Sequence, residues 1–301
     1  MVHQAVTRAP DTLGCMKIRR IEIAAGEYVF DALTAGPERS DTVLLLHGFP
    51  QSAEMWRPAM TSLASAGFRV VAPNQRGYTT GASPEDVASY RLPELVSDVI
   101  GIATALDARR FHVIGHDWGG TVAWSLAAQH PEQVISLTSI STPHMSALAT
   151  ALRGTQQRAR MAYITLLQAP LIPELLVRAG NGALLQSTLT LTGLSAAHAR
   201  RDVRNLLQRG ITGPLNWYRA IDADALRAPG TVTVPTLHIW GDADVAFGRE
   251  ATELTARHVT GPYHLVELEG GSHWIPDEHW NDVEDVVLEH LQAHTARRRR
   301  R

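Results

Sequence analysis

The chain reads as an α/β protein: a mostly parallel sheet flanked by helices, with a helical segment inserted between two strands. Three observations predict this. Short apolar runs alternate with stretches of helical periodicity, the pattern of a parallel sheet whose crossovers are helices. The runs are continuous rather than alternating, as in strands covered on both faces; Thr42-Val43-Leu44-Leu45-Leu46 is the clearest. Residues 143–229 break the rhythm, being rich in Ala, Leu and Arg at helix-like spacing with no convincing strand. The expected division is therefore a core, 1–142 and 230–301, and a helical cap, 143–229.

The elements follow in order. Ile18 to Ala25 and Tyr28 to Ala35 predict an opening hairpin turning at Gly26. Strands are expected at Thr42 to Leu46, Phe68 to Ala72, Phe111 to Gly115, Val134 to Ile140, Thr236 to Trp240 and His264 to Leu268. Helical periodicity covers Ala53 to Ala66, Leu92 to Leu106, Gly119 to Gln129, Arg249 to His258 and Trp280 to His294.

Composition bounds the function. The 301 residues suit one large domain or a core with an insertion, and 45% apolar with 19% charged residues is ordinary for a globular protein. A net charge of −2 favours neither nucleic acid nor an acidic membrane as partner. The N-terminus lacks the apolar core of a signal peptide, and no apolar run approaches the length of a spanning helix. A lone cysteine, Cys15, excludes an intrachain disulfide and suits a reducing cytoplasm. Cys15 precedes the first strand, which argues against a catalytic thiol. The run Arg297 to Arg301 is read as a solvated end. The oligomeric state is left open, a homodimer included.

The chemistry centres on Asp117. Gly115-His116-Asp117-Trp118-Gly119-Gly120 follows an apolar strand and opens an amphipathic stretch, the layout of a nucleophile elbow with aspartate in the usual place of serine. Flanking glycines are expected to permit the sharp turn. A serine needs a base to become nucleophilic, whereas a carboxylate with a pKa near ~4 is already ionised. It attacks saturated carbon directly, which points to alkylating substrates such as epoxides or alkyl halides. A base and an orienting acid belong at neighbouring strand tips, in the order nucleophile, acid, histidine. Among fourteen histidines, His273 stands out because the turn Gly270-Gly271-Ser272 presents it beyond the last strand. His112, His238 and His264, in or beside strands, read as packed or surface residues. The acid comes from Gly241-Asp242-Ala243-Asp244. One aspartate of this pair suits a turn cap, and Asp244, further from the strand, reaches back more freely. The other strand tip where an acid could stand reads Ser141-Thr142-Pro143-His144, without a carboxylate. The turn His47-Gly48-Phe49-Pro50 offers the N–H of Phe49, which with that of Trp118 forms an expected oxyanion hole.

Together these motifs resemble the epoxide hydrolases of the α/β-hydrolase fold, from Ile18 to Leu291. The resemblance rests on His47 to Ser52, Asn74-Gln75-Arg76-Gly77-Tyr78, the Asp117 elbow, the Asp244 loop and Ser272-His273-Trp274. It places the catalytic acid on Asp244. Within the cap, Tyr163-Ile164-Thr165-Leu166-Leu167-Gln168-Ala169-Pro170 and Gly213-Pro214-Leu215-Asn216-Trp217-Tyr218-Arg219 resemble the segments that carry the family's two ring-opening tyrosines. Those residues are Tyr163 and Tyr218. A neutral phenol can hydrogen-bond and then protonate the departing alkoxide. Phe49, Trp118 and Trp217 are the expected substrate contacts. The resemblance implies a small epoxide and water as reactants, a vicinal diol as product, and no metal or organic cofactor.

Leu166-Leu167, Asn74 and Asn281 depart from residues common in the family, which bears on pocket shape and hence on substrate. A haloalkane or haloacid dehalogenase would share the aspartate elbow. Against it, Phe49 stands where many haloalkane dehalogenases carry an Asn, and the Arg after the nucleophile and the earlier acid typical of fluoroacetate-type enzymes are missing. A non-catalytic ligand receptor is argued against by the intact Asp117, His273 and Asp244 set.

Overall fold

The computed structural model describes residues 17–222 and 230–295. Cys15 and the Arg297–Arg301 run lie outside the described residues, as does the end of the expected cap segment, 223–229.

Eight strands form one sheet: β1 (Arg19–Ala25), β2 (Tyr28–Ala35), β3 (Thr42–Leu46), β4 (Arg69–Pro73), β5 (Phe111–His116), β6 (Val134–Ile140), β7 (Thr236–Gly241) and β8 (Tyr263–Leu268). Their spatial order is β1-β2-β4-β3-β5-β6-β7-β8. β2 pairs antiparallel with β1 and β4, and every pairing from β4 to β8 is parallel. The first hairpin closes at Gly26, whose φ of 61° suits a residue without Cβ.

The continuous apolar strands serve two faces. Along β3, Leu44 and Leu46 join a core with α2 (Leu92–Ala105) and α3 (Trp118–Gln129), centred on Val99 and Trp124. Val43 and Leu45 point the other way, into a core with α1 (Arg57–Ser65) and the last helix (Trp280–His294), around Met60 and Val287. The strand's side-chain period of two thus feeds both layers.

Between β6 and β7 the described chain is helical: α4 (Met145–Ala151), α5 (Thr155–Arg160), α6 (Tyr163–Gln168), α7 (Ile172–Arg178), α8 (Ala183–Leu191), α9 (Ala196–Arg209) and α10 (Thr212–Arg219). Polar contacts seat this layer over the strand tips. The Arg201 guanidinium on α9 donates to both carboxylate oxygens of Asp277 at 2.9 and 2.7 Å. Beyond the cap come α11 (Arg249–Thr255), α12 (Ile275–Glu278) and α13 (Trp280–His294). Among the described residues, no helix is long and apolar enough to cross a membrane.

Candidate active site

Asp117 joins β5 to α3 at φ 52° and ψ −121°. For a residue with a Cβ this conformation costs about 1–3 kcal/mol and persists only where the surroundings impose it. The glycines impose it by permitting close approach, not by turning themselves. Neither Gly115 nor Gly119 has a positive φ. A Cβ on Gly119 would lie 2.1 Å from the Leu46 carbonyl oxygen, and one on Gly48 would lie 2.3 Å from Asp117 Cβ. The elbow therefore presses against the β3 turn, and Asp117 itself carries the strain.

That pressing delivers the Phe49 N–H to Asp117 Oδ1 at 2.8 Å, with the Trp118 N–H beside it helping to stabilise the carboxylate charge. The turn is braced from behind. His47 donates from Nδ1 to the Gly48 carbonyl at 3.1 Å and accepts at Nε2 from the Gln75 N–H at 3.1 Å. Burial keeps His47 neutral, its pKa lowered to about 4.

On the other side of the carboxylate, His273 Nε2 lies 3.7 Å from Asp117 Oδ2. Its Nδ1 donates to Asp244 Oδ2 at 2.9 Å. Asp244 Oδ1 accepts the N–H groups of Ala246 and Phe247 at 2.7 and 3.0 Å, which fixes the acid. Asp242 does separate work, accepting from the Gly270 N–H at 2.7 Å and so holding the turn before His273. Burial opposes a charge on His273, but Asp244 and then Asp117 outweigh it, and the pKa is raised to about 10. Burial likewise opposes ionisation of Asp117. The His273 imidazolium, by hydrogen bond and by charge, reverses this with help from the Trp118 N–H and holds the Asp117 pKa below the usual carboxylate value. The result is a buried carboxylate–imidazolium–carboxylate line.

Two cavities, of about 890 and 430 Å³, open at Asp117, and Tyr163 and Tyr218 line both. Burial, then the Asp117 charge, raises both phenol pKa values, so both hydroxyls keep their protons. Tyr163 is 41% exposed over the whole residue while Tyr218 is buried. Tyr218 packs edge-on to Phe49 at 5.4 Å and to Trp118 at 5.2 Å between ring centroids. Gln168 Nε2 donates to the Tyr218 carbonyl at 3.0 Å, tying α6 to α10. The smaller cavity is walled by leucines, Leu166 and Leu167 among them.

Trp217 is a correction. It was expected at the substrate, yet it lines neither cavity at Asp117. Its indole N–H donates to the Arg76 carbonyl at 2.8 Å, and its ring packs edge-on to Tyr78 and Trp118. It lies behind Tyr218 because adjacent helical residues point in different directions. This contact gives Asn74-Gln75-Arg76-Gly77-Tyr78 a purpose that sequence reasoning missed. Gly77, at φ 87°, packs so closely on Gly213 that a Cβ would lie 2.7 Å from the Gly213 carbonyl carbon. Arg76, paired with Asp98 at 2.7 and 2.6 Å, holds the segment on which α10 and Tyr218 dock. Also missed was Gln157, which donates to the Ala246 carbonyl at 2.8 Å and accepts the Gly248 N–H at 2.9 Å. With Arg160 Nη1 donating to the Asp244 carbonyl at 2.6 Å, it ties α5 to the acid loop. His112 and His238 are buried packing residues bonded to the Ser136 hydroxyl and the Ser139 carbonyl. Among the described residues, no three His, Cys, Asp or Glu side chains are grouped as a metal ion would require.

The chain matches the alpha/beta hydrolase fold family over residues 41–279. It is 36% identical over 265 residues to the AB hydrolase superfamily protein YfhM of Bacillus subtilis, covering 86% of this chain and 92% of that one. To epoxide hydrolase A of Mycobacterium tuberculosis it is 30% identical over 298 residues, covering 85% and 92%. The crystal structure of epoxide hydrolase A from Mycobacterium thermoresistibile matches with a TM-score of 0.80 at 26% identity, over 92% of this chain and 98% of that chain. With agreement over most of its length in sequence and in fold, the chain belongs to the alpha/beta-hydrolase fold family and, within it, to the epoxide hydrolases.

Proposed function

We propose that this chain opens an epoxide to a vicinal diol through an ester formed on Asp117, with residues 143–229 as its cap. The observation that carries this is the setting of the Asp117 carboxylate. Oδ1 is held by the Phe49 N–H, Oδ2 faces His273, and two protonated phenols share its cavities.

Oδ2 attacks one ring carbon and the C–O bond of the epoxide breaks. Tyr163 and Tyr218 hydrogen-bond the departing oxygen and supply its proton. The ester then stands with its carbonyl oxygen, Oδ1, in the two-amide hole. Esterification removes the Asp117 charge, so one of the two carboxylates that raise His273 disappears, and the imidazolium gives up its proton, by way of water, to the tyrosinate left by ring opening. Neutral His273, oriented by Asp244, takes a proton from water. The water oxygen attacks Asp117 Cγ, negative charge builds on Oδ1, and the Phe49 and Trp118 N–H groups stabilise it. Collapse breaks the Cγ–Oδ2 bond, the protonated His273 gives its proton to the leaving Oδ2 of the diol, and the new Asp117 carboxyl then passes its own proton to His273, which restores the starting state. The sequence uses only these side chains and water.

A halide-releasing reaction has less support. Halide needs no pair of phenols.

A single turnover in 18O-water tests the ester. The label belongs in the Asp117 carboxylate, and the first diol stays largely unlabelled. Label in that first diol means that water attacked the epoxide directly.

A further inference from the structure

The base reaches the nucleophile from far away. His273 follows β8, and the sheet order places β8 three strands from β5, which carries Asp117. At ~4.8 Å per strand this is a lateral distance of about 14 Å. The loop between must cross the tips of β7 and β6. At β7 the crossing is tight: a Cβ on Gly241 would lie 2.1 Å from the Gly271 carbonyl oxygen. At its far end one atom, the main-chain carbonyl oxygen of His273, ties the loop to the tips of β5 and β6. It accepts from His116 Nε2 at 2.8 Å and from the Ser141 hydroxyl at 3.0 Å. The two donors come from different strands, at the last residue of β5 and the residue after β6. Both are fully buried.

We propose that His116 and Ser141 are positioning residues for hydrolysis of the Asp117 ester, setting through the His273 carbonyl where the base stands. The inference rests on the proposed role of His273.

The chemistry of each donor fits. A carbonyl has two lone pairs, and here both are used. Burial, then the neighbouring His273, lowers the His116 pKa to about 4, so His116 is neutral with its one ring proton on Nε2. Its ring also packs 4.8 Å from that of His273, centroid to centroid. Ser141 sits at φ 59°, a conformation worth its cost where the surroundings use it, and its N–H is fixed on the Ile239 carbonyl at 2.8 Å. The bond from Nδ1 to Asp244 sets the rotation of the imidazole, and the carbonyl clamp fixes the His273 main chain against the tips of β5 and β6.

The two half-reactions need this differently. In ring opening, His273 takes no proton, and Asp117 attacks with the tyrosines as acids. In hydrolysis, Nε2 must meet a water aligned with Asp117 Cγ. Misplacing a catalytic group by ~1 Å costs about 100-fold. Loss of the clamp therefore slows hydrolysis and spares alkylation.

His116→Leu, His116→Gln and Ser141→Gly are compared in single turnovers with an aryl epoxide, styrene oxide first, following the rates of ester formation and decay and the ester on Asp117 by mass spectrometry. His116→Leu should slow hydrolysis by about 10–100-fold, change alkylation by less than about 3-fold, and accumulate the ester. His116→Gln also loses the ring but keeps an N–H near the Nε2 position, and should recover most of the hydrolysis rate. Ser141→Gly relaxes the backbone, removes only the hydroxyl, and should slow hydrolysis several-fold. It decides the matter alone if His116→Leu does not fold. Equal losses in both half-reactions, no loss in either, or a His116→Gln as slow as His116→Leu overturns the proposal. His273→Gln is run in parallel. If it fails to trap an ester, the assigned role of His273 falls. If it traps one and the clamp variants do not, the clamp alone falls.

Discussion

His273 Nε2 stands 3.7 Å from Asp117 Oδ2. On the proposed mechanism, the charge state of His273 therefore depends on whether Asp117 is free or esterified. In the free enzyme the pair of carboxylates raises His273 to about 10 against the effect of burial, so it is an imidazolium at neutral pH and cannot accept a proton. Replacing Asp117 by Asn imitates the neutral ester. Asp117→Asn should lower the His273 pKa well below about 10, read from an NMR titration of labelled histidine. An unmoved titration would remove the charge coupling from the mechanism.

The same shift makes a stability prediction. His273 is raised from 6.5 to about 10, so its charge contributes stability fully present below 6.5 and lost as pH rises through about 10. Wild type should therefore exceed His273→Gln in melting temperature at pH 6, and the gap should shrink by about 5 °C or more by pH 10.5. Asp117 does not confuse this window, since its lowered pKa keeps it ionised throughout. A gap that is constant with pH would contradict the raised pKa.

Gly48→Ala tests the contact that builds the proposed oxyanion hole. The added methyl would lie 2.3 Å from Asp117 Cβ, so either the elbow or the Phe49 turn must move. Overpacking of this kind costs about 1–3 kcal/mol. Displacing one oxyanion donor costs about 10²–10³-fold in rate. A variant that folds yet keeps near wild-type turnover would show that the Phe49 N–H is dispensable.

Gln157→Leu tests the tie between cap and acid loop. It leaves the Ala246 carbonyl and Gly248 N–H without their partner, at about 1–3 kcal/mol for a buried group. Unfolding should shift accordingly, and turnover should fall because the neighbouring N–H groups of Ala246 and Phe247 hold Asp244. Unchanged stability and turnover would make the contact incidental.

The sequence made local features legible and hid distant ones. β3 could be read because four consecutive apolar residues, Val43 to Leu46, must face two layers, and Asp117 because a strand, a glycine-flanked carboxylate and a helix lie contiguous in the chain. Within the Gly241–Asp244 loop, the two aspartates separate in space: Asp242 holds the Gly270 N–H and Asp244 meets His273. What stayed hidden depends on partners far along the chain. Trp217 bonds a carbonyl 141 residues away, and that contact decides which way its ring points. Gln157 reaches across 89 residues to the Ala246 carbonyl, and neither its identity nor its spacing announces the acid loop. The short cap helices were equally illegible one by one, because pieces of six or seven residues such as α5, α6 and α7 complete too few turns to display a periodicity.

Tyr163 and Tyr218 separate epoxide from halide chemistry. Burial and the Asp117 charge keep both phenols protonated, as an acid catalyst must be before ring opening. Replacement by Phe removes one O–H and keeps the ring, so the edge-on packing of position 218 against Phe49 and Trp118 survives. General acid catalysis is worth about 10²–10⁴-fold. With the partner tyrosine still donating, Tyr163→Phe or Tyr218→Phe should each lose toward the low end of that range, in the alkylation step. The double variant should lose nearly all epoxide opening, because an alkoxide then departs with no proton donor, while circular dichroism shows an intact fold. Hydrolysis of an ester once formed should be little changed, since that step runs on His273 and Asp244. Diol formation within a few-fold of wild type in the double variant would reduce the tyrosines to packing residues. Rapid halide release by wild type, with no epoxide opened, would overturn the epoxide reading itself.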